Sequence, residues 1–233
     1  MQNRAYDIAS CLVGSEMCIR DRRNSGCMRI GKVGYTKLTK DFGYWTVNVE
    51  NITTYLPINI VNEPDVYNPF LKWNIEDDVK DFIEDTVKKV AIPESQNFSK
   101  TNAWGNYYTK SRYNHHKFHH IPHIDGPGWV GNLWLSDNED GSRGTQFYNY
   151  KDEWKKDNFT FSGGIELWFE QETTWKQWDK SEVEKYGFEY MGTAPAKKNT
   201  ITIYNSCVPH KAYIGEKCDT SWSLLVQVCK TFT

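Results

Sequence analysis

Between residues 119 and 128 the chain reads His119-His120-Ile121-Pro122-His123-Ile124-Asp125-Gly126-Pro127-Gly128. On extended backbone the side-chain period is two, so His123 and Asp125 project to the same side. An imidazole and a carboxylate placed in this way can take neighbouring positions on one metal ion, with a third ligand arriving from elsewhere. His210, in Val208-Pro209-His210, is the last histidine of the chain and the natural third ligand. H-x-D alone matches many chains by chance, so its weight depends on what surrounds it. The remaining histidines, His115, His116, His119 and His120, read as a solvated cluster and receive no catalytic role.

Working outward, residues 129–136 read as a strand, and Asp137-Asn138-Glu139-Asp140-Gly141-Ser142-Arg143-Gly144 is a strong turn signal. Residues 145–150 read as the returning strand of a hairpin. Short strands are expected at 159–161 and 165–169, a helix at 173–186, extended chain at 188–191 and a turn at 194–199. The β-branched run Thr200-Ile201-Thr202-Ile203-Tyr204 is a strand that delivers His210. Residues 211–219 read as a connection to a last strand at 221–229. Upstream, residues 30–54 hold one or two strands, and Pro57, Pro64 and Pro69 make 55–72 irregular. A helix follows: Asn74 as N-cap, Glu76, Asp77 and Asp78 in the first turn, Lys88 and Lys89 near the end, and Pro93 beyond it. Ile75, Val79, Phe82, Ile83 and Val87 share one face, which is best packed on a sheet. Residues 95–117 form an aromatic-rich approach in which Trp104, Tyr107, Tyr108 and Tyr113 either wall a pocket or anchor a loop. The expectation is an α+β chain: a double-sheet β core carrying one main N-terminal amphipathic helix.

Composition narrows the function classes. With 10 Trp, 14 Tyr and 11 Phe, the chain favours strands over a helical bundle. A formal charge of −2 and the lack of a basic stripe argue against a nucleic-acid or anionic-membrane partner. No apolar run is long enough to span a bilayer and no secretory signal is read, so a cytoplasmic location is expected. Six cysteines without paired C-x-x-C spacing favour reduced thiols.

Residues 12–21, Leu-Val-Gly-Ser-Glu-Met-Cys-Ile-Arg-Asp, resemble the in-frame translation of a sequencing-library adaptor. Residues 1–27 are therefore expected to be non-native, with 28–233 forming one domain.

H-x-D, then a strand, Gly-Thr-x-Phe-Tyr, a late strand before a histidine and one final strand together resemble the Fe(II)- and 2-oxoglutarate-dependent oxygenase superfamily. The residues that carry the likeness are His123, Asp125, Gly126, Leu133, Trp134, Leu135, Gly144, Thr145, Phe147, Tyr148 and His210. The resemblance covers about residues 104–228. The resemblance implies a double-stranded β-helix (jelly-roll) core with Fe(II) held by His123, Asp125 and His210 as catalytic and metal residues, two histidines and a carboxylate on one face. It implies 2-oxoglutarate as co-substrate, hydroxylation of a C–H bond, and a small-molecule or peptide substrate. The family places an Arg or Lys at the start of the last strand, often as Arg-x-Ser, to pair with the distal carboxylate of 2-oxoglutarate. Here the triplet is Ser221-Trp222-Ser223, without the cation. Arg143, Lys211 or Lys217 are the candidate substitutes, and Asn132, Tyr148, Ser221, Ser223 and Arg143 the candidate co-substrate residues. Two other classes stay open: a metal-binding jelly roll without oxygenase activity, and a carbohydrate- or protein-binding β-sandwich that uses its tryptophans.

Overall fold

The computed structural model describes residues 29–50, 70–94, 96–109, 122–136, 138, 141–151, 183–184 and 187–230. The strands expected at 159–161 and 165–169, most of the helix expected at 173–186, residues 1–28 and the histidines before Pro122 lie outside them. Among the described residues the elements run β1 (Arg29–Lys37), β2 (Gly43–Glu50), β3 (Phe70–Trp73), α1 (Asp77–Ala91), β4 (Phe98–Thr109) and β5 (Gly128–Trp134). They continue with β6 (Arg143–Tyr150), β7 (Phe188–Pro195), β8 (Thr200–Asn205), β9 (His210–Ile214) and β10 (Thr220–Lys230). The fold is β-rich. Seven strands form one sheet in the order β1-β2-β8-β5-β10-β4-β3, three form another in the order β7-β6-β9, and neighbours are antiparallel throughout.

Side-chain alternation assigns the two faces of the large sheet. Ile201 and Ile203 of β8, Leu133 of β5, and Leu224, Val226 and Val228 of β10 form a buried cluster with Val79, Phe82, Ile83, Val87 and Val90 of α1. The residues between them, Tyr204, Asn132, Trp134, Ser223 and Leu225, line a cavity on the opposite face. The apolar stripe of α1 closes the outer face, and its buried Thr86 is satisfied by donating to the Phe82 carbonyl at 2.8 Å. Gly131 of β5 faces the helix, and a Cβ there would stand 2.5 Å from Val87 Cγ2 and 3.0 Å from Ile83 Cγ2.

Several expectations are corrected. The helix is not N-terminal: three strands precede it, because the Gly-punctuated early segments pair as β1 and β2 on the far edge of the large sheet. Its N-cap is Glu76 rather than Asn74, since Ile75 is already packed against the core ahead of the first turn. The first free amides find a partner in Asp78, whose Oδ1 accepts from the Val79 N–H at 2.9 Å. β5 and β6 do not form a hairpin. β5 pairs with β8 and β10, β6 pairs with β7 and β9, and the intervening turn crosses from one sheet to the other. Two segments read as connections are strands: β4, within 95–117, and β9, within 211–219. β4 mixes polar and aromatic residues because its inner face lines a polar cavity. No helix among the described residues is long and apolar enough to cross a membrane.

Replacing Gly131 by Ala forces a methyl group into the helix–sheet contact. A loss of about 1–3 kcal/mol in chemical denaturation is expected, the usual cost of overpacking. Adding Val87→Ala should restore part of it, so the two changes will be non-additive in a double-mutant cycle.

Candidate metal centre

His123 and His210 are opposite one another in a two-residue antiparallel bridge. The His123 N–H donates to the His210 carbonyl at 2.9 Å, and the His210 N–H returns the bond at 2.9 Å. This pairing lies on the edge of β9 away from β6, on whose side Phe147 faces His210 and the Tyr148 N–H donates to the Pro209 carbonyl at 2.9 Å. The first histidine is thereby tied to the small sheet through the second.

Asp125 follows at the start of a tight turn that leads into β5. Its N–H donates to the Ser206 carbonyl at 3.1 Å, and its own carbonyl accepts from Gln227 Nε2 at 2.9 Å. The next residue, Gly126, has φ 84, a left-handed conformation that glycine adopts without penalty. Its carbonyl accepts from the buried Ser206 hydroxyl at 2.6 Å. Main-chain and side-chain bonds from β10 and from the turn after β8 thus hold the H-x-D segment on both flanks.

The three side chains converge. His210 Nε2 is 3.1 Å from Asp125 Oδ2, and His123 Nε2 is 3.6 Å from Asp125 Oδ1. One ligand atom from each lies within 4.8 Å of the other two. His210 is buried, and its Nδ1 is 2.8 Å from the Val208 carbonyl. A carbonyl can only accept, so Nδ1 carries the hydrogen and the Nε2 lone pair is presented to the cluster. Two imidazole nitrogens and one carboxylate oxygen suit a divalent first-row transition metal. All three side chains also line one cavity.

That cavity is about 220 Å³, and its wall includes His123, Asp125 and His210. The small sheet contributes Arg143, Thr145 and Ala212, and the large sheet Asn132, Trp134, Tyr204, Ser223 and Leu225, with Trp104 and Asn106 of β4 on the far side. Arg143 is buried and its Nη1 donates to the carbonyls of Gly144 and Tyr213, both at 2.9 Å. Its guanidinium lies 5.1 Å from the Trp134 ring centroid. Burial pushes it down to about 10, which leaves it cationic at neutral pH. Tyr204 packs edge-on to His210, with ring centroids 4.9 Å apart. Burial first, then the charge of Asp125, hold its phenol well above the usual tyrosine range, while Arg143 pulls the other way. Tyr204 is therefore a neutral hydroxyl in the cavity wall. Asn132 Oδ1 is buried without a hydrogen-bond partner.

The residues singled out from sequence fall in different places. Asn132, Arg143 and Ser223 line the cavity. Ser221 is buried but is not part of the lining. Tyr148 packs against Phe188 and Tyr190, and its hydroxyl donates to Gln146 Oε1 at 2.7 Å; a bulge between Phe147 and Tyr148 accompanies this placement. Lys211 is buried beside His210 and Lys217 is exposed, and neither belongs to the lining. Tyr204, Ser206 and Gln227 were passed over in the sequence. The alternation of Thr200, Thr202 and Tyr204 with Ile201 and Ile203, on a strand packed on both faces, is the signal that marks the polar side.

The bonds to the turn carry a prediction. Replacing Gln227 with Met removes a bond to the Asp125 carbonyl, and replacing Ser206 with Ala removes one to the Gly126 carbonyl; both leave the three candidate ligand side chains in place. Each change should weaken Co(II) binding, read by its visible absorption, by about 10- to 100-fold.

No protein-family model matches the chain, and no curated protein does. Among solved structures the chain is similar to HygX from Streptomyces hygroscopicus with nickel and 2-oxoglutarate bound. The identity is 12%, the TM-score 0.42, and 73% of this chain and 73% of that chain are covered.

Proposed function

We propose that this protein is a non-haem Fe(II) dioxygenase, a hydroxylase that consumes 2-oxoglutarate. The observation that carries the reading is the convergence of His123, Asp125 and His210 on one side of a cavity whose wall holds the buried cationic Arg143. The strand order supports it. If the His123 bridge is counted as a short strand beside β9, four strands of each sheet face one another: β8-β5-β10-β4, and β7-β6-β9 with His123. This is the arrangement expected of a double-stranded β-helix.

In this reading, bound iron and 2-oxoglutarate supply the oxidation: O₂ is consumed, a substrate C–H becomes C–OH, and 2-oxoglutarate leaves as succinate and CO₂. The protein's part is to hold and orient. His123, Asp125 and His210 would hold the metal, and the Val208 carbonyl keeps the His210 ring in the tautomer that could ligate it. Arg143 supplies the cation missing at Ser221 and pairs with the distal carboxylate. A desolvated guanidinium beside a low-dielectric wall makes this pairing strong. Tyr204, kept neutral by burial, is placed to donate a hydrogen bond in the same cavity, and the unpartnered Oδ1 of Asn132 offers an acceptor. The small side chains of Thr145 and Ala212 between the His210 and Arg143 levels leave the space that the co-substrate needs.

Anaerobic titration tests this directly. Fe(II) with 2-oxoglutarate should produce a visible charge-transfer band that neither gives alone, and Asp125→Ala should abolish it. Arg143→Met should keep Fe(II) binding and weaken 2-oxoglutarate by about 10- to 100-fold, the cost of losing a charge-assisted bond. Fe(II) binding with no band at any 2-oxoglutarate concentration would sink the reading.

A further inference from the structure

We propose that Thr202 is a positioning residue: by holding the Trp134 indole it fixes the plane of the Arg143 guanidinium, and so the edge offered to the co-substrate's distal carboxylate. This rests on the function proposed above and adds what makes a 2-oxo diacid preferred over a 2-oxo monoacid. Ile201 and Ile203 pack with α1, so Thr202 points to the opposite face of β8, the face on which β5 carries Asn132 and Trp134. The register sets Thr202 opposite Asn132 and Thr200 opposite Trp134, which makes Thr202 and Trp134 diagonal neighbours. The Trp134 Nε1–H donates to Thr202 Oγ1 at 3.1 Å, and both residues are buried. An indole has a single donor. Tied to a β-branched side chain with few χ1 choices, the ring is held against rotation.

The Arg143 guanidinium lies over that ring, 5.1 Å from its centroid. Its Nη1 is already committed, because the carbonyls of Gly144 and Tyr213 take one hydrogen each. A carboxylate can therefore be met by two parallel bonds only along the Nε–Nη2 edge. Bonds at one nitrogen fix a point and leave the plane able to swing about it. The indole face closes one side of that swing and favours the stacked orientation. A turned ring would release the plane, and a planar bidentate pair would then lose one of its two bonds. Thr202 is not part of the cavity lining, whereas Trp134 and Arg143 are, so its influence on a bound carboxylate passes through the indole.

Two ligands isolate the effect. 2-Oxoglutarate and 2-oxopentanoate share a chelating head and a chain length, and only the first has a distal carboxylate. In anaerobic titrations with Fe(II), the ratio of their affinities reads the pairing with Arg143. Thr202→Val and Thr202→Ala both remove the hydroxyl and should lower that ratio by about 10-fold, the scale of one charge-assisted bond. Thr202→Ser should keep it, and Fe(II) affinity should be unchanged in all three. Trp134→Phe should also lower the ratio, and adding Thr202→Val should lower it no further. In the metal-free protein, the Arg143 Nε–H resonance, assigned by its loss in Arg143→Met, should move in Thr202→Val and stay in Thr202→Ser. A ratio or a resonance that survives loss of the hydroxyl, additive losses in the double variant, or a Ser variant that behaves like Val would each overturn the assignment. Absence of the band from the unsubstituted protein with 2-oxoglutarate would instead remove the proposed function, and the resonance would still report whether Thr202 sets the guanidinium.

Discussion

The reciprocal main-chain pair between His123 and His210 is the constraint on which the site depends. Opposed residues that exchange both hydrogen bonds have their Cα atoms about 5.5 Å apart, with both side chains on the same face. Two imidazoles delivered this way need no further adjustment to reach one ion, and Asp125, two residues on, adds the carboxylate. Each bond is worth only about 1 kcal/mol net. Their importance is geometric, because the ligand spacing is inherited from sheet register and not from flexible side chains. That register is set in turn by Phe147 opposite His210 and by the Tyr148–Pro209 bond, both inside the small sheet.

The large sheet reconciles a dry core with a polar cavity through strict alternation. Odd-numbered residues of β8 and β5 and even-numbered residues of β10 meet α1, and the intervening ones meet the cavity. Shifting any of these strands by one residue would turn polar cavity residues such as Asn132 or Ser223 toward α1 and apolar core residues toward the cavity. The helix therefore does more than cover an apolar face. By rewarding only one register, it holds Tyr204, Asn132 and Trp134 where the cavity needs them. Gly131 lets this happen at close range, since the strand carries no side chain where it faces Val87 and Ile83 of α1.

What could be read from sequence follows from how local each signal is. H-x-D with a late histidine, the β-branched run of β8 and the apolar stripe of α1 are local patterns: the run forms a strand, the stripe is buried, and candidate ligand atoms of His123, Asp125 and His210 lie within 4.8 Å of one another. β4 was missed because Trp104 and Asn106 face a polar cavity and so break the apolar alternation that marks an ordinary half-buried strand. β9 was missed because its five residues, His210-Lys211-Ala212-Tyr213-Ile214, carry a buried lysine between small and ligating positions. The false hairpin has another cause. A Gly- and Asp-rich turn marks a reversal of direction but does not say whether the returning strand joins the same sheet or the one facing it.

The absent cation on β10 and the presence of Arg143 on β6 belong to one arrangement. Ser223 is in register with Trp134, and the Trp134 ring lies beneath the Arg143 guanidinium. A long cationic side chain rising from the start of β10 would compete with Arg143 for the same inner space, and two desolvated guanidiniums side by side would each raise the cost of charging the other. Small hydroxyl residues at Ser221 and Ser223 leave that space to an arginine from the opposite sheet, which is anchored by the carbonyls of Gly144 and Tyr213 before any ligand arrives. Its position is thus fixed in advance, so pairing with a carboxylate immobilises little that is not already still. Substituting Ser221 by Arg should therefore not restore a stronger site. It should oppose the one already built.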